Sequence, residues 1–92
     1  MITVKRFTAS WCGPCRMLKP VFNQLETQFP EVKFETYDVD VNPEVITNLN
    51  IKSVPMVLMF KENVSNPVVT SVGANPLKYY ADAIQELLNN ES

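Results

Sequence analysis

The chain contains no histidine, and only two glycines and two cysteines among its 92 residues. Without histidine there is no imidazole to act as a general base near neutral pH, and the commonest nitrogen ligand for transition metals is missing. A zinc or iron–sulfur site takes about four soft ligands. With two cysteines, one copy could supply only half of such a site. No metal is expected, because only a site bridged between two copies would be feasible. Cations are sparse as well: eight Lys and Arg face ten Asp and Glu, for a formal net charge of -2, and the longest basic cluster is Lys5-Arg6. Such a balance gives no field for holding nucleic acid or an anionic membrane, and neither is expected as a partner. The longest strongly apolar run, Val54–Phe60, falls far short of the roughly 20 residues that cross a bilayer. Met1 leads straight into Ile2-Thr3-Val4 with no basic n-region and no long apolar stretch. A secretory signal is therefore not expected, and a cytoplasmic location is.

What the chain does contain is the string Trp11-Cys12-Gly13-Pro14-Cys15, which holds both of its cysteines. Any sulfur chemistry must occur at this one Cys-x-x-Cys pair. In a reducing compartment a lone pair of this kind is more often catalytic or metal-binding than a structural staple, and a disulfide closing so small a loop would stabilise little. The length suits one domain with one core, expected to span residues 1–92.

Hydrophobic periodicity sets out the elements. Residues 2–9 are rich in β-branched and aromatic side chains and read as a strand, interrupted by Lys5-Arg6. From Cys12 to Phe29, the residues Cys15, Leu18, Phe22, Leu25 and Phe29 recur at steps of three and four, which places them on one face of a helix. Pro14 suits the helix start; Pro20, in its interior, removes a bond and is expected to bend the axis. Residues 32–39 alternate as a second strand, and Asn42-Pro43 reads as an Asn cap before a short helix over residues 43–49. Residues 54–60 form a continuous apolar run, the pattern of a strand covered on both faces, and residues 68–72 add a strand that should pair with it as a hairpin. Asn75-Pro76 repeats the cap signal before an amphipathic helix through Leu77, Tyr80, Ala81, Ile84, Leu87 and Leu88. The order is β-α-β-α-β-β-α, an α/β sandwich with a mixed sheet whose leading βαβ unit is parallel and right-handed.

Thiol–disulfide exchange needs one thiolate to attack a substrate sulfur and a second thiol to resolve the mixed disulfide. If Cys12 caps the first helix, its sulfur lies within reach of the orphan N–H groups of the first turn, and the positive end of the helix dipole favours its ionised form. Cys12 is then the expected nucleophile. Cys15, a turn deeper on the apolar stripe, is the expected resolving thiol. Between them Gly13 permits a tight turn and Pro14 restrains it, so this dipeptide influences redox poise. Trp11 lies off the core stripe and is expected to be an exposed platform beside the site. Asp38 and Asp40 read as solvated or capping carboxylates at a strand end. Met17, Met56 and Met59 read as core filler.

The chain resembles the thioredoxin family. The resemblance rests on Trp11-Cys12-Gly13-Pro14-Cys15 after a first strand, Pro20 past the second cysteine, Asp40 with Asn42-Pro43, Ser53-Val54-Pro55 opening a strand, and Gly73 before the last helix. It implies a thioredoxin-like fold, a four-stranded mixed sheet in the order 2-1-3-4 flanked by three helices, and a cis peptide at Val54-Pro55 facing the cysteines. It also implies a shorter version than larger thioredoxins, which carry an additional N-terminal strand and helix. The implied function is reduction of protein disulfides, with no bound cofactor beyond the redox-active disulfide Cys12–Cys15. The implied electron donor is a flavin-dependent thioredoxin reductase or a comparable donor, and a monomer is expected. Pro55 would contact the disulfide and leave the Val54 backbone free to pair with an extended substrate, or it could simply start a strand. Gly73 and Ala74 would complete the substrate groove, or Gly73 could serve only as a turn residue. A glutaredoxin-like enzyme recycled by glutathione is the alternative of similar length, against which the Gly-Pro dipeptide argues. A binding module in which the cysteines only hold a loop is the alternative of another class.

Two departures from the family pattern meet at one place. The family's buried aspartate, six positions before the first cysteine, is replaced by Arg6, and the lysine that partners it on the next strand is replaced by Thr36. The family's proton relay is not expected to carry over as inherited, and the pair is expected to have changed as a unit, with Arg6 reaching water by snorkelling. Arg6 is expected to tune the Cys15 thiol. The family's aromatic residue four positions before the first cysteine is Thr8 here.

Overall fold

A computed structural model describes residues 1–90. The expected domain span includes residues 91 and 92, which lie outside the described residues. Strand β1 (Ile2–Thr8) occupies the middle of the sheet, parallel to β2 (Lys33–Asp38) and antiparallel to β3 (Met56–Lys61), and β4 (Val69–Val72) closes the far edge. The sheet order is β2-β1-β3-β4, as the resemblance implied.

Because side chains alternate across a strand, β1 and β3 each contribute to two cores. Ile2 and Val4 of β1 and Val57 and Met59 of β3 point to the face covered by helix α1 (Gly13–Gln28) and helix α3 (Leu77–Asn89), where Leu18, Phe22, Leu25, Tyr80 and Ile84 complete the layer. Phe7, Leu58 and Phe60 form the other layer with Val39 and Ile51, beneath Val45 of the short helix α2 (Glu44–Asn48) and Leu49 beyond it. That double coverage explains why β3 reads as an unbroken apolar run rather than an alternating one. Both cysteines fall in the second layer, at the end of the sheet where β1 hands over to α1.

Helix α1 follows its expected stripe and continues through Pro20, which lies on the exposed side. Several local expectations need correction. Met17 is 69% exposed rather than core, because it sits between Cys15 and Leu18 on the side of α1 turned away from the sheet. Neither asparagine caps a helix through its side chain. At α2 the cap residue is Pro43 itself, and only the Asn42 backbone carbonyl is used, accepting from the Val45 N–H at 3.2 Å. At α3 the Asn75 amide is diverted to the Ser71 hydroxyl at 3.0 Å, leaving Pro76 at the cap. Strand β3 starts at Met56 rather than Val54, since Pro55 has no N–H to offer a ladder. No helix among the described residues is long and apolar enough to cross a membrane.

Candidate active site

The sulfur pair is set by the turn between β1 and α1. The Cys12 N–H donates to the Ala9 carbonyl at 3.2 Å, closing the turn, and Cys12 then holds an extended backbone as the cap of α1. Its Sγ accepts the Cys15 N–H at 3.2 Å, satisfying one of the orphan donors of the first turn. Pro14 occupies the first turn, where its missing donor costs nothing. Cys12 and Cys15 are joined as a disulfide with their Cα atoms 5.3 Å apart. Burial runs in the expected order, 5% exposed for Cys12 and 1% for Cys15, although the margin is small with the bond formed. Gly13 and Pro14 are exposed, and a Cβ at Gly13 would meet nothing within 4 Å, so no close contact demands glycine there.

Three segments distant in sequence are tied together at the start of β3. Val54 packs against the layer that holds both cysteines, and the Val54-Pro55 peptide is cis. Pro55 is buried, and its carbonyl accepts the Gly73 N–H at 2.9 Å, tying the residues after β4 to those before β3. Gly73 has φ 87, a left-handed conformation that glycine adopts without a steric penalty. The fully buried Tyr80 of α3 braces the same loop: its hydroxyl donates to the Gly73 carbonyl at 3.3 Å and accepts the Asn75 N–H at 3.1 Å. Ala74 is exposed beside them. Trp11 is 67% exposed, as expected, and forms one wall of an open cavity of about 250 Å³ with Val39, Ile46, Ile51 and Val54. Sequence reasoning did not identify Val39, Ile46 and Ile51 here. Each fits a helical or strand pattern equally well as core, and only the tertiary fold turns them toward Trp11.

A second cavity, of about 480 Å³, opens behind the pair and is bordered by Cys15, Arg6 and Thr36. Arg6 does not snorkel to water as expected; it is only 9% exposed. Its guanidinium carbon lies 5.1 Å from the centre of the Phe22 ring, and Nη2 donates to Thr36 Oγ1 at 3.3 Å. The buried Nε has no hydrogen-bond partner. Burial pulls the Arg6 pKa below the ordinary arginine value, and Glu26 opposes part of that fall. The described residues include no group of three or more His, Cys, Asp or Glu that could hold a metal ion.

A mixed sheet in this order, helices on both faces, and a cysteine pair at the start of the first helix define a thiol–disulfide oxidoreductase of thioredoxin-like fold. The model of the thioredoxin family matches residues 2–86, and the chain belongs to that family. It is 36% identical to thioredoxin of Bacillus subtilis over 89 residues, covering 96% of this chain and 80% of that protein. It is 39% identical to Thioredoxin-2 of Pyricularia oryzae over 75 residues, covering 82% of this chain but only 43% of that longer protein. Among solved structures, thioredoxin from Trypanosoma brucei brucei superposes with a TM-score of 0.88 at 26% identity, covering 98% of this chain and 77% of the other.

Proposed function

We propose that this chain reduces protein disulfides with its own dithiol, Cys12 attacking and Cys15 resolving. The observation that carries the reading is the cap geometry, in which the Cys12 sulfur receives the Cys15 N–H at 3.2 Å at the positive end of a 16-residue helix. In the reduced protein the same donor and dipole stabilise a Cys12 thiolate. That thiolate attacks one sulfur of a substrate disulfide, forming a mixed disulfide and expelling the other substrate sulfur as a thiolate. Cys15, giving up its proton to solvent, attacks Cys12 Sγ, closes the Cys12–Cys15 bond and releases the second substrate sulfur. Two electrons pass from the dithiol to the substrate.

The neighbouring residues take supporting roles. Trp11 and Val54 flank the substrate, with the Val54 backbone available to pair with an extended segment. Pro55, Gly73 and Ala74 form the opposite wall of the groove, and Gly13 and Pro14 set how readily the pair opens. Arg6, bordering the same cavity as Cys15, favours the resolving thiolate. No bound cofactor takes part. A flavin-dependent thioredoxin reductase or comparable donor restores the dithiol, and the protein works as a monomer in the reducing cytoplasm.

Insulin reduction coupled to thioredoxin reductase tests this. The wild-type protein should turn over many insulin disulfides, Cys12→Ser should be inert, and Cys15→Ser should stall as a mixed disulfide with its substrate. Multiple turnovers by Cys15→Ser, or a wild type no faster than the donor system alone, would overturn the assignment. Turnover supported by glutathione but not by the reductase would favour the glutaredoxin-like alternative.

A further inference from the structure

We propose that the cavity behind Cys15 binds a small oxyanion, with inorganic phosphate as its representative, and that the anion competes with the Cys15 thiolate for the Arg6 cation. Charge is the first support. Arg6, Arg16 and Lys19 border the cavity against one lining carboxylate, Asp38, with Glu26 also attracting Arg6 from outside the cavity, in a chain whose net charge is negative. Among the described residues none of these three cations takes part in an ion pair. The Asp38 carboxylate accepts the Asp40 N–H at 2.9 Å and keeps its charge, so the lining cations still outnumber it. Arg16 is held in place by an Nη2 bond to the Ser10 carbonyl at 2.9 Å.

Hydrogen-bonding capacity is the second support. A guanidinium carries five N–H donors. At Arg6, 9% exposed, a single bond to Thr36 is made and the buried Nε is left without a partner. A buried cation with unused donors is costly unless an anion or hydrogen-bond acceptor meets it. Nε itself is shut off from solvent, so an oxyanion in the cavity would offset the Arg6 charge and meet the terminal amino groups instead, where Arg–phosphate bonds are charge-assisted and often bidentate.

The redox state of Cys15 decides when the site is available. In the disulfide, Cys15 carries no charge, so the Arg6 cation has no thiolate beside it. Once the bond is reduced and Cys15 ionises, the chain provides its own anion at the same border. Two anions drawing on one cation weaken each other by the same factor. Phosphate should therefore bind the oxidised form more tightly than the ionised dithiol, and should raise the Cys15 thiol pKa in the reduced protein. Both effects rest on the proposed action of Arg6 on the Cys15 thiolate; binding to the oxidised form does not.

The test is a phosphate titration of the oxidised, ¹⁵N-labelled protein at pH 7, with chloride holding ionic strength constant. Saturable shifts of the Arg6 Nε–H signal and of the Thr36 and Cys15 amides are expected, and Arg6→Gln should abolish them. Where Arg6→Gln fails to fold, the double variant Arg16→Ala/Lys19→Ala, at exposed positions, should weaken binding by about tenfold. Linear shifts that chloride reproduces, or binding unaffected by every variant, would overturn the site. A Cys15 pKa that stays put at saturating phosphate would overturn the competition. Loss of insulin reduction with the phosphate shifts intact would sink the disulfide-reductase reading and leave the site standing.

Discussion

Arg6 and Thr36 face each other across the parallel β1–β2 ladder, and the arginine donates to the threonine hydroxyl at 3.3 Å. The two positions at which the family's charged pair is replaced are thus direct neighbours in the sheet. A short hydroxyl in place of a second long cation gives the guanidinium a polar neighbour without like-charge repulsion. It does not satisfy the guanidinium, because Nε stays buried and unpaired.

Replacing that cation should therefore strengthen the fold while changing the chemistry. Exchanging a buried, poorly compensated charge for an apolar side chain of similar volume is often neutral or stabilising. Methionine would keep contact with the Phe22 ring that now lies under the guanidinium. Arg6→Met is expected to raise stability by about 1 kcal/mol, read as a higher urea midpoint at an unchanged slope. The Cys15 thiol pKa should rise in the same variant, followed by NMR of its Cβ. A destabilised variant with an unmoved Cys15 would mean that the cation is structural.

Tyr80 supports the loop at Gly73 from beneath. Its hydroxyl both donates to the Gly73 carbonyl and accepts the Asn75 N–H from a fully buried ring. Tyr80→Phe keeps the ring packing and removes these bonds together with a longer one from the Asn75 side-chain amide, at a cost of about 1–2 kcal/mol. Amide exchange at Gly73 and Asn75 should quicken more than in the middle of α3. Uniform acceleration across α3 would instead show a packing defect.

On the opposite side of the sheet Glu35 anchors a polar cluster with a definite pH signature. Tyr37 donates to it at 2.6 Å, and Lys33 and Lys5 approach its carboxylate at 3.2 and 3.8 Å. The Tyr37 hydrogen bond, aided by the lysines, holds the Glu35 carboxyl below its ordinary range, with burial opposing. Because the folded pKa lies below the unfolded one, this stabilisation is present above the unfolded value of about 4.3 and fades as the pH falls through the folded value. Tyr37 is raised, chiefly by the same hydrogen bond, so its contribution is present below about pH 10 and fades as the pH rises through its folded value. Glu35→Gln should flatten both limbs of a plot of urea midpoint against pH. An unaltered alkaline limb would contradict the shared origin.

The main elements were legible because period and chemistry agreed: Cys15, Leu18, Phe22 and Leu25 keep one helical face, and all four are buried. The cysteine site was legible for the same reason, with Pro14 and the Cys12 cap both marking a helix start. Met17 shows where such reading ends, since a flexible apolar residue on a helix can face either way and only its angle to the stripe decides. The asparagines fail differently. A proline directly after each takes the cap position, and the freed Asn75 amide finds Ser71, a partner that only the folded loop brings near. Arg6 marks a third limit. Its charge predicted exposure, whereas the ring of Phe22 and the hydroxyl of Thr36 cover it, and neither is a sequence neighbour.

The cap geometry also fixes how the two sulfurs should differ once the disulfide is opened. The first-turn N–H groups and the dipole of α1 act on the sulfur at the cap, and they favour charge over neutrality. Cys15 lies within the helix on its buried face, where desolvation disfavours a thiolate and the cations of the adjoining cavity, Arg6 the most buried of them, counter it. Iodoacetamide should therefore modify Cys12 first in the reduced protein, with a rate–pH midpoint below the roughly 8.5 of a free thiol, while Cys15 reacts slowly until the chain is unfolded. Cys15→Ser should leave the Cys12 midpoint nearly unchanged, because the donor is the backbone N–H at position 15 rather than its side chain. Arg6→Met should also spare Cys12 and slow only the resolving step. Equal alkylation of both thiols would break the link between the helix cap and the order of attack.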